Sequence, residues 1–212
     1  MKVASGCSPV SVISELNSTT WMLNPTSGET MPRCIVLGRF QPFHLGHAGL
    51  VQAAVEHAAG DEVVVAIGSA QAGWEANNPW TAEERQGMIE AWAAEQGLTL
   101  TVVTVDDIND PPNWVKHATS AHGTGTLVTS DGPTMDLYRA AGWDVHEVAL
   151  SERDTLEGWR VRQTVRMLST VMDDEASRTV LAPSIPSAVI EWLIDNDAMF
   201  RCSTFETGVH AG

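Results

Sequence analysis

Residues 34–47 of the chain read CIVLGRFQPFHLGH, and an amphipathic stretch over residues 48–59 follows them. The apolar run at the start predicts a β-strand, the glycine and proline predict a tight turn, and the amphipathic stretch predicts a helix. The first turn of a helix has unpaired backbone N–H groups and the positive end of the helix dipole, so it can bind a phosphate group. The segment therefore predicts a strand–turn–helix unit with an anion site at the helix start.

Three side chains of this segment could act on a bound phosphoryl group. His44 and His47 flank Gly46 at the junction of turn and helix, and Arg39 precedes them. Imidazole and guanidinium groups donate hydrogen bonds to phosphate oxygens and stabilise charge that develops there during transfer. A single histidine near a helix start is more often a cap or a surface group, but this combination at one junction favours nucleotide chemistry.

Strands and helices alternate along the rest of the chain from Arg33 onward. The pattern predicts strands near residues 62–67, 98–105, 127–130 and 145–150, and helices near residues 81–96, 111–121, 133–141, 158–172 and 187–195. Thr81 and Glu84 have the spacing of a capping box, and Gly97 is a helix stop. Such alternation predicts an α/β fold with a Rossmann-like parallel sheet, helices on both faces, and C-terminal helices that close the domain.

Residues suited to ligand binding follow four of the predicted strands. They are His44, Gly68, Asp107 and Ser130. In a parallel sheet the carboxyl ends of the strands lie at one edge, and ligands bind there near the point where the strand order reverses. We therefore expect these four segments to meet in one cleft.

The composition is that of an acidic globular protein, with 43% hydrophobic residues and a formal net charge of −15. This charge argues against a nucleic-acid surface, and it fits either a surface adapted to high salt or an ordinary acidic cytosolic protein. Five arginines lie in or near candidate phosphate-binding segments: Arg39, Arg85, Arg160, Arg162 and Arg166. No membrane-spanning run or secretory signal is visible, and three cysteines without metal-ligand spacing fit a reducing compartment. We expect a cytoplasmic protein without a membrane partner.

The opening segment resembles the HxGH signature of the nucleotidylyltransferase superfamily, and its longer form is similar to archaeal-type nicotinamide-nucleotide adenylyltransferases. Residues 68–71, 78–85, 107–108, 114–115 and 130–133 continue the resemblance in the order of that family. The resemblance implies a nucleotidylyltransferase domain, which we place at residues 31–200, with residues 201–212 as a C-terminal tail. Residues 1–30 are rich in Ser, Thr, Asn and Gly, which predicts either a disordered extension or residues added by an upstream start codon.

The resemblance also implies the reaction and the residues that carry it. The adenylyl group of ATP would pass to nicotinamide mononucleotide (NMN), giving NAD and pyrophosphate, with Mg²⁺ or another divalent cation bridging the phosphates. Arg39, His44, His47 and Arg162 would stabilise the phosphates and the transition state; Gly38, Phe40, Gly46, Gly68, Ser69, Ser130 and Gly132 would bind the nucleotide; Trp114 would stack on the nicotinamide ring. No metal-ligating side chains are assigned. We expect ATP and NMN as partners, and a homo-oligomer.

The chain departs from the family pattern in its second cationic motif, Ser-Gly-Thr-x-Ile-Arg. Gly158 and Arg162 match, but Glu157 and Trp159 replace the two hydroxyl residues. Fewer hydroxyl donors then face the phosphates, and the Glu157 carboxylate could repel pyrophosphate.

A second departure concerns the acceptor segment, where Pro111 stands in place of the family's asparagine. Asn109 or Asn113 could replace it. Trp114 could also be a packing residue, and Arg162 could lie on a solvated helix face. Two other functions stay open: a nucleotidylyltransferase with another acceptor, such as phosphopantetheine, glycerol phosphate or a flavin, and a nucleotide-binding sensor without turnover.

Overall fold

The computed structural model describes residues 33–149 and 156–205, so the predictions for residues 1–30 and for residues 206–212 lie outside the described residues. Within these ranges five strands alternate with seven α-helices. The strands are β1 (Arg33–Gly38), β2 (Glu62–Ile67), β3 (Thr101–Thr104), β4 (Thr126–Thr129) and β5 (Val145–Glu147). The helices are α1 (Leu45–Ala58), α2 (Ala82–Gln96), α3 (Pro111–His122), α4 (Gly132–Ala140), α5 (Gly158–Leu168), α6 (Asp174–Leu181) and α7 (Ser187–Asp195), and a 3₁₀ helix (Phe200–Ser203) follows.

The strands form one parallel sheet in the order β3-β2-β1-β4-β5. The chain builds outward from β1 on one side, and after β3 it crosses over to place β4 on the other side of β1. The order therefore reverses between β1 and β4, which puts a crevice beside the carboxyl end of β1. The predicted α/β fold with a Rossmann-like parallel sheet is confirmed.

Successive side chains of a strand point to opposite faces of the sheet, so they pack in two separate cores. On one face the core contains Val36 and Val65 together with side chains from α1, α2 and the C-terminal helices. On the other face a smaller core contains Ile35, Val64 and side chains from α3 and α4. Helices thus cover both faces, and α5 to α7 close the first one. No helix of the two described ranges is both long enough and apolar enough to cross a membrane.

The boundaries of β3 and α5 differ from the prediction for physical reasons, and β5 ends at Glu147 instead of residue 150. β3 begins at Thr101 instead of residue 98, because the N–H of Leu98 donates to the carbonyl of Ala93 at 2.9 Å and closes the end of α2. α5 ends at Leu168 instead of residue 172, because the Ser169 hydroxyl bonds back to the Arg166 carbonyl at 2.6 Å. The chain then turns into α6, which the sequence patterns did not predict.

The packed part of the chain continues past residue 200. Cys202 is buried, and the guanidinium of Arg201 pairs with both carboxylate oxygens of Glu84. Residues 201–205 therefore belong to the folded domain rather than to a separate tail.

Candidate active site

The two histidines lie at the start of α1. His44 is the N-cap residue, and its amide donates to Nδ1 of His47 at 3.4 Å. The two rings stack at a centroid distance of 3.6 Å, and the Phe40 ring packs edge-on against His47 at 4.8 Å. This packing gives both imidazoles fixed positions at the helix start, where the N–H of Leu45 donates to the Ser184 carbonyl and that of His47 to the His44 carbonyl.

A cleft of about 490 Å³ opens beside them at the carboxyl edge of the sheet. Its walls come from the four segments that follow β1 to β4, namely Gly38, Arg39 and His47, then Gly68 and Ser69, then Asp107 and Trp114, then Ser130 and Asp131. The predicted strand ends do meet in one place. His47 lies in the cleft wall, whereas His44 is stacked behind it and is only 6% exposed.

Arg162 approaches the histidines from α5. Its Nη1 donates to the Gln41 carbonyl at 2.8 Å, in the turn that precedes α1. A Cβ added to Gly158, the first residue of α5, would lie 3.4 Å from this Nη1 and 3.9 Å from Nε2 of His44. The guanidinium and the His44 ring therefore border the same small space at the start of a second helix.

Two cations of the site, Arg39 and Arg162, lie near each other. In the described part of the chain neither Arg39 nor Arg162 forms an ion pair with a carboxylate. Burial and the charge of Arg39 lower the pKa of Arg162. A partly buried cation near a second cation favours the binding of an anion, such as a polyphosphate.

Both imidazoles are neutral in the free protein. Burial, together with the charge of Arg162, lowers the pKa of His44 to about 4. Burial and the neighbouring His44 lower the pKa of His47 well below its usual value. A hydrogen bond with the Pro42 carbonyl raises this pKa but does not offset the other two effects. Nδ1 of His44 is buried, and no other atom of the described residues forms a hydrogen bond with it. The neutral rings can therefore form hydrogen bonds with a ligand without first breaking an ion pair to another side chain.

The lowered pKa of His44 predicts that stability falls as the pH drops from about 6.5 to about 4. In this pH window the histidine binds a proton in the unfolded state but not in the folded state, so acid favours unfolding. At pH 4 the free energy of unfolding should be lower by about 3 kcal/mol than at neutral pH. Urea unfolding at a series of pH values should show a shallower loss for His44→Gln than for the wild type. Equal pH slopes for the two proteins would contradict the assignment.

Arg85 is a structural residue rather than a phosphate ligand. Its side chain is fully buried, and burial lowers its pKa to about 10. All five of its N–H groups donate to backbone carbonyls at 2.9 to 3.2 Å, those of Arg39, Gly68, Ser69, Ala72 and Thr81. It thereby joins the segments after β1 and β2 to the start of α2, and so fixes one side of the cleft.

The two residues that depart from the family pattern contact each other. Glu157 Oε2 accepts from the indole Nε1 of Trp159 at 2.7 Å and from Nε of Arg160 at 3.3 Å, and the Arg160 guanidinium lies 4.6 Å from the Trp159 ring centre. The carboxylate of Glu157 therefore already accepts hydrogen bonds from a guanidinium group and from an indole N–H. Sequence patterns gave no signal for this contact.

Three residues assigned to nucleotide binding, Phe40, Gly46 and Gly132, are not among the residues that line the cleft. The Phe40 ring is buried against His47, so any direct contact with a nucleotide would come from its backbone, which has φ 51. A Cβ on Gly46 would lie 3.1 Å from the His44 ring, so that ring is what requires a small residue. Gly132 is the first residue of α4, where an added Cβ would meet no atom within 4 Å.

The acceptor side of the cleft contains Trp114, which is half-buried in the first turn of α3. The two candidate replacements for the missing asparagine lie outside the lining of this cleft. Asn109 has a left-handed backbone with φ 51, and the Asn113 side chain donates to Asp110 at 2.8 Å. Neither therefore replaces that asparagine in the cleft wall.

Comparison with known proteins shows the family of this chain. A family model described as cytidylyltransferase-like matches residues 35–184. The chain belongs to the cytidylyltransferase-like family. A nicotinamide-nucleotide adenylyltransferase of Haloarcula marismortui is 38% identical over 160 residues, 75% of this chain and 79% of the relative. One of Methanolobus tindarius is 34% identical over 172 residues, 81% of this chain and 92% of the relative. The predicted resemblance is confirmed.

Solved structures support the cytidylyltransferase-like fold independently. A bifunctional NMN adenylyltransferase/ADP ribose pyrophosphatase of Francisella tularensis aligns with a TM-score of 0.60 at 18% identity over 80% of this chain. The same bifunctional protein in complex with AMP and a manganese ion aligns with a TM-score of 0.56 at 17% identity over 79% of this chain. The chain spans about half the length of these two structures, 52% and 53%.

Proposed function

We propose that the protein transfers the adenylyl group of ATP to NMN, producing NAD and pyrophosphate. The observation that carries the proposal is the meeting of two guanidinium groups with two neutral histidines at a helix start: Arg39 lines the cleft with His47, and Arg162 lies beside His44. Relatives that the chain matches over most of their length are nicotinamide-nucleotide adenylyltransferases, which supports the same reaction.

The reaction needs alignment and charge stabilisation rather than covalent catalysis by the protein. An oxygen of the NMN 5′-phosphate forms a bond to the α-phosphorus of ATP, and the bond from that phosphorus to the bridging oxygen of pyrophosphate breaks. Arg39 and His47 in the cleft wall would stabilise charge on the α-phosphate. Arg162 and His44, beside the start of α5, would stabilise the departing pyrophosphate.

The cleft also suits a divalent cation bound mainly by the phosphates. Mg²⁺ retains several waters and uses one or two carboxylates plus substrate oxygens. Asp107 and Asp131 supply carboxylates in the cleft wall, whereas no set of three or more His, Cys, Asp or Glu in the described residues could enclose a metal. Such a cation would neutralise phosphate charge during transfer. The manganese ion in the related structure supports the use of a divalent cation, and we propose Mg²⁺ here.

We expect purified protein to release pyrophosphate when ATP, Mg²⁺ and NMN are all present. Chelation of the cation with EDTA should abolish release, and added Mg²⁺ should restore it. Glycerol phosphate, phosphopantetheine and flavin mononucleotide serve as alternative acceptors in the same coupled assay. Release with one of these and not with NMN would move the protein to another acceptor class, and tight ATP binding without any release would identify a sensor.

The altered motif at the start of α5 is what favours the sensor as the second candidate. The contact of Glu157 with Trp159 and Arg160 weakens that argument, because the carboxylate is engaged away from Arg162. We further propose that the enzyme acts in the cytoplasm, which the free buried thiols of Cys34 and Cys202 support, and that it forms a homo-oligomer.

A further inference from the structure

The smaller core, beneath α3 and α4, contains two buried polar side chains that contact each other. Tyr138 and His122 are 0% and 1% exposed. The Tyr138 hydroxyl lies 2.8 Å from Nε2 of His122, and Nδ1 of His122 lies 2.7 Å from the Gly123 carbonyl. Because a carbonyl only accepts, Nδ1 carries the ring proton and Nε2 accepts from the tyrosine hydroxyl.

The direction of this hydrogen bond is stable at neutral pH. Burial lowers the pKa of His122; the hydrogen bond to Gly123 opposes this shift, and the charge of Arg33 adds to it. The ring is therefore neutral, and the hydroxyl of Tyr138 keeps its single acceptor. Buried polar groups satisfied in this way fix the relative position of the elements that carry them.

Tyr138 also contacts the candidate acceptor residue. Its ring meets Trp114 edge to face, with centroids 6.3 Å apart and an interplanar angle of 71°. Trp114 lies in the first turn of α3 and His122 in the last, so one residue of α4 contacts both ends of α3. Trp143 packs against Tyr138 and His122 at 5.1 and 5.3 Å, which prevents both rings from moving away.

The two helices that this contact joins both contribute residues to the cleft lining. Trp114 is on α3, whereas Thr134 is on α4 and Asp131 is the N-cap residue of that helix. We propose that Tyr138 and His122 are positioning residues for the acceptor: their hydrogen bond holds Trp114 at the distance from α4 that the flat ring of NMN requires. The inference rests on the proposed function.

Tyr138→Phe tests it, because this change removes the hydroxyl and keeps the ring against Trp114. We expect the KM for NMN to rise about fivefold or more, while kcat at saturating NMN and the KM for ATP stay unchanged. Calorimetric titration with NMN should show the same loss of affinity without requiring turnover. His122→Ala should reproduce the effect, and His122→Gln, whose amide oxygen can accept from the hydroxyl, should retain wild-type values.

A control variant separates positioning from loss of stability. Ile89→Val thins the other core at a buried position and should lower the melting temperature without changing the KM for NMN. A Tyr138→Phe protein with a lower melting temperature but wild-type NMN affinity would overturn the inference, as would equal losses for ATP and NMN. Wild-type protein that binds NMN but releases no pyrophosphate would instead refute the proposed function, and the titration would still test the positioning role.

Discussion

Replacing His47 by alanine is expected to lower kcat by about 10²-fold or more while ATP binding weakens much less. The His47 ring lines the cleft, and its position is fixed by the stacked His44 ring and by Phe40. A neutral ring in a preorganised position contributes most when charge develops on the α-phosphate, so its loss should affect the transition state more than the ground state. Pyrophosphate release at saturating substrates gives kcat, and calorimetry gives the ATP affinity.

His57→Ala is the matched control for this change. It removes the same side chain from the same helix, but His57 is exposed in the last turn of α1 and stacks on His146 instead of lining the cleft. We expect wild-type kcat for this variant. A His47→Ala enzyme with unchanged kcat would exclude His47 from the mechanism, whatever its effect on ATP binding.

Arg85→Leu is expected to prevent the protein from folding to a stable state. The change removes the guanidinium donors of five buried or partly buried backbone carbonyls. The carbonyls of Ser69 and Thr81 keep a backbone N–H donor, whereas those of Arg39, Gly68 and Ala72 lose the donor that they have in the wild type. Each unsatisfied buried acceptor costs about 1–3 kcal/mol, so the three carbonyls that lose their donor together cost as much as the stability of a marginally stable domain. The yield of soluble protein and its circular dichroism spectrum measure this outcome.

Arg85→Lys keeps the experiment quantitative if the leucine variant is insoluble. Lysine retains the charge but has three N–H donors, so at least two carbonyls lose a partner and the free energy of unfolding should fall by about 2–6 kcal/mol. The control is Arg139→Lys, at an exposed arginine with only a 3.8 Å contact to Glu147, where we expect a change of about 0.5 kcal/mol or less. An Arg85→Lys protein as stable as the wild type in urea would show that Arg85 does not hold the loops together.

Features built from near neighbours in the chain were predictable. The N–H of Thr81 donates to Glu84 at 2.8 Å, and the N–H of Glu84 donates to Thr81 at 3.3 Å, as the capping-box spacing predicted. Gly97 ends α2 with a left-handed φ of 67. These interactions are complete within a few residues, so their signal is fully present in the local sequence. The alternation of such elements was also enough to predict the parallel sheet.

Features that join distant segments were not predictable from one sequence. Arg85 matches the family pattern, yet only the structure shows that the carbonyls of Gly68 and Ser69 surround it. The contact of Tyr138 with His122 depends on how α3 and α4 pack, for which the sequence has no local signal. Ser69 has a left-handed backbone with φ 48, which is strained for a residue other than glycine. The hydrogen bond from Arg85 to its carbonyl stabilises this conformation. The chemistry of the site was therefore easier to predict than the contacts that position it.

The central position of β1 has a consequence for the motions of the site. Ile35 is paired with Val64 on one side and with Leu127 on the other, whereas β5 is paired on a single edge. Amide protons of β1 should therefore exchange with solvent only when the whole domain unfolds, and those of β5 should exchange through smaller local openings. The turn that carries the histidines is attached directly to the slowest-exchanging strand, so fluctuations at the edges of the sheet leave the start of α1 and its two histidines in place.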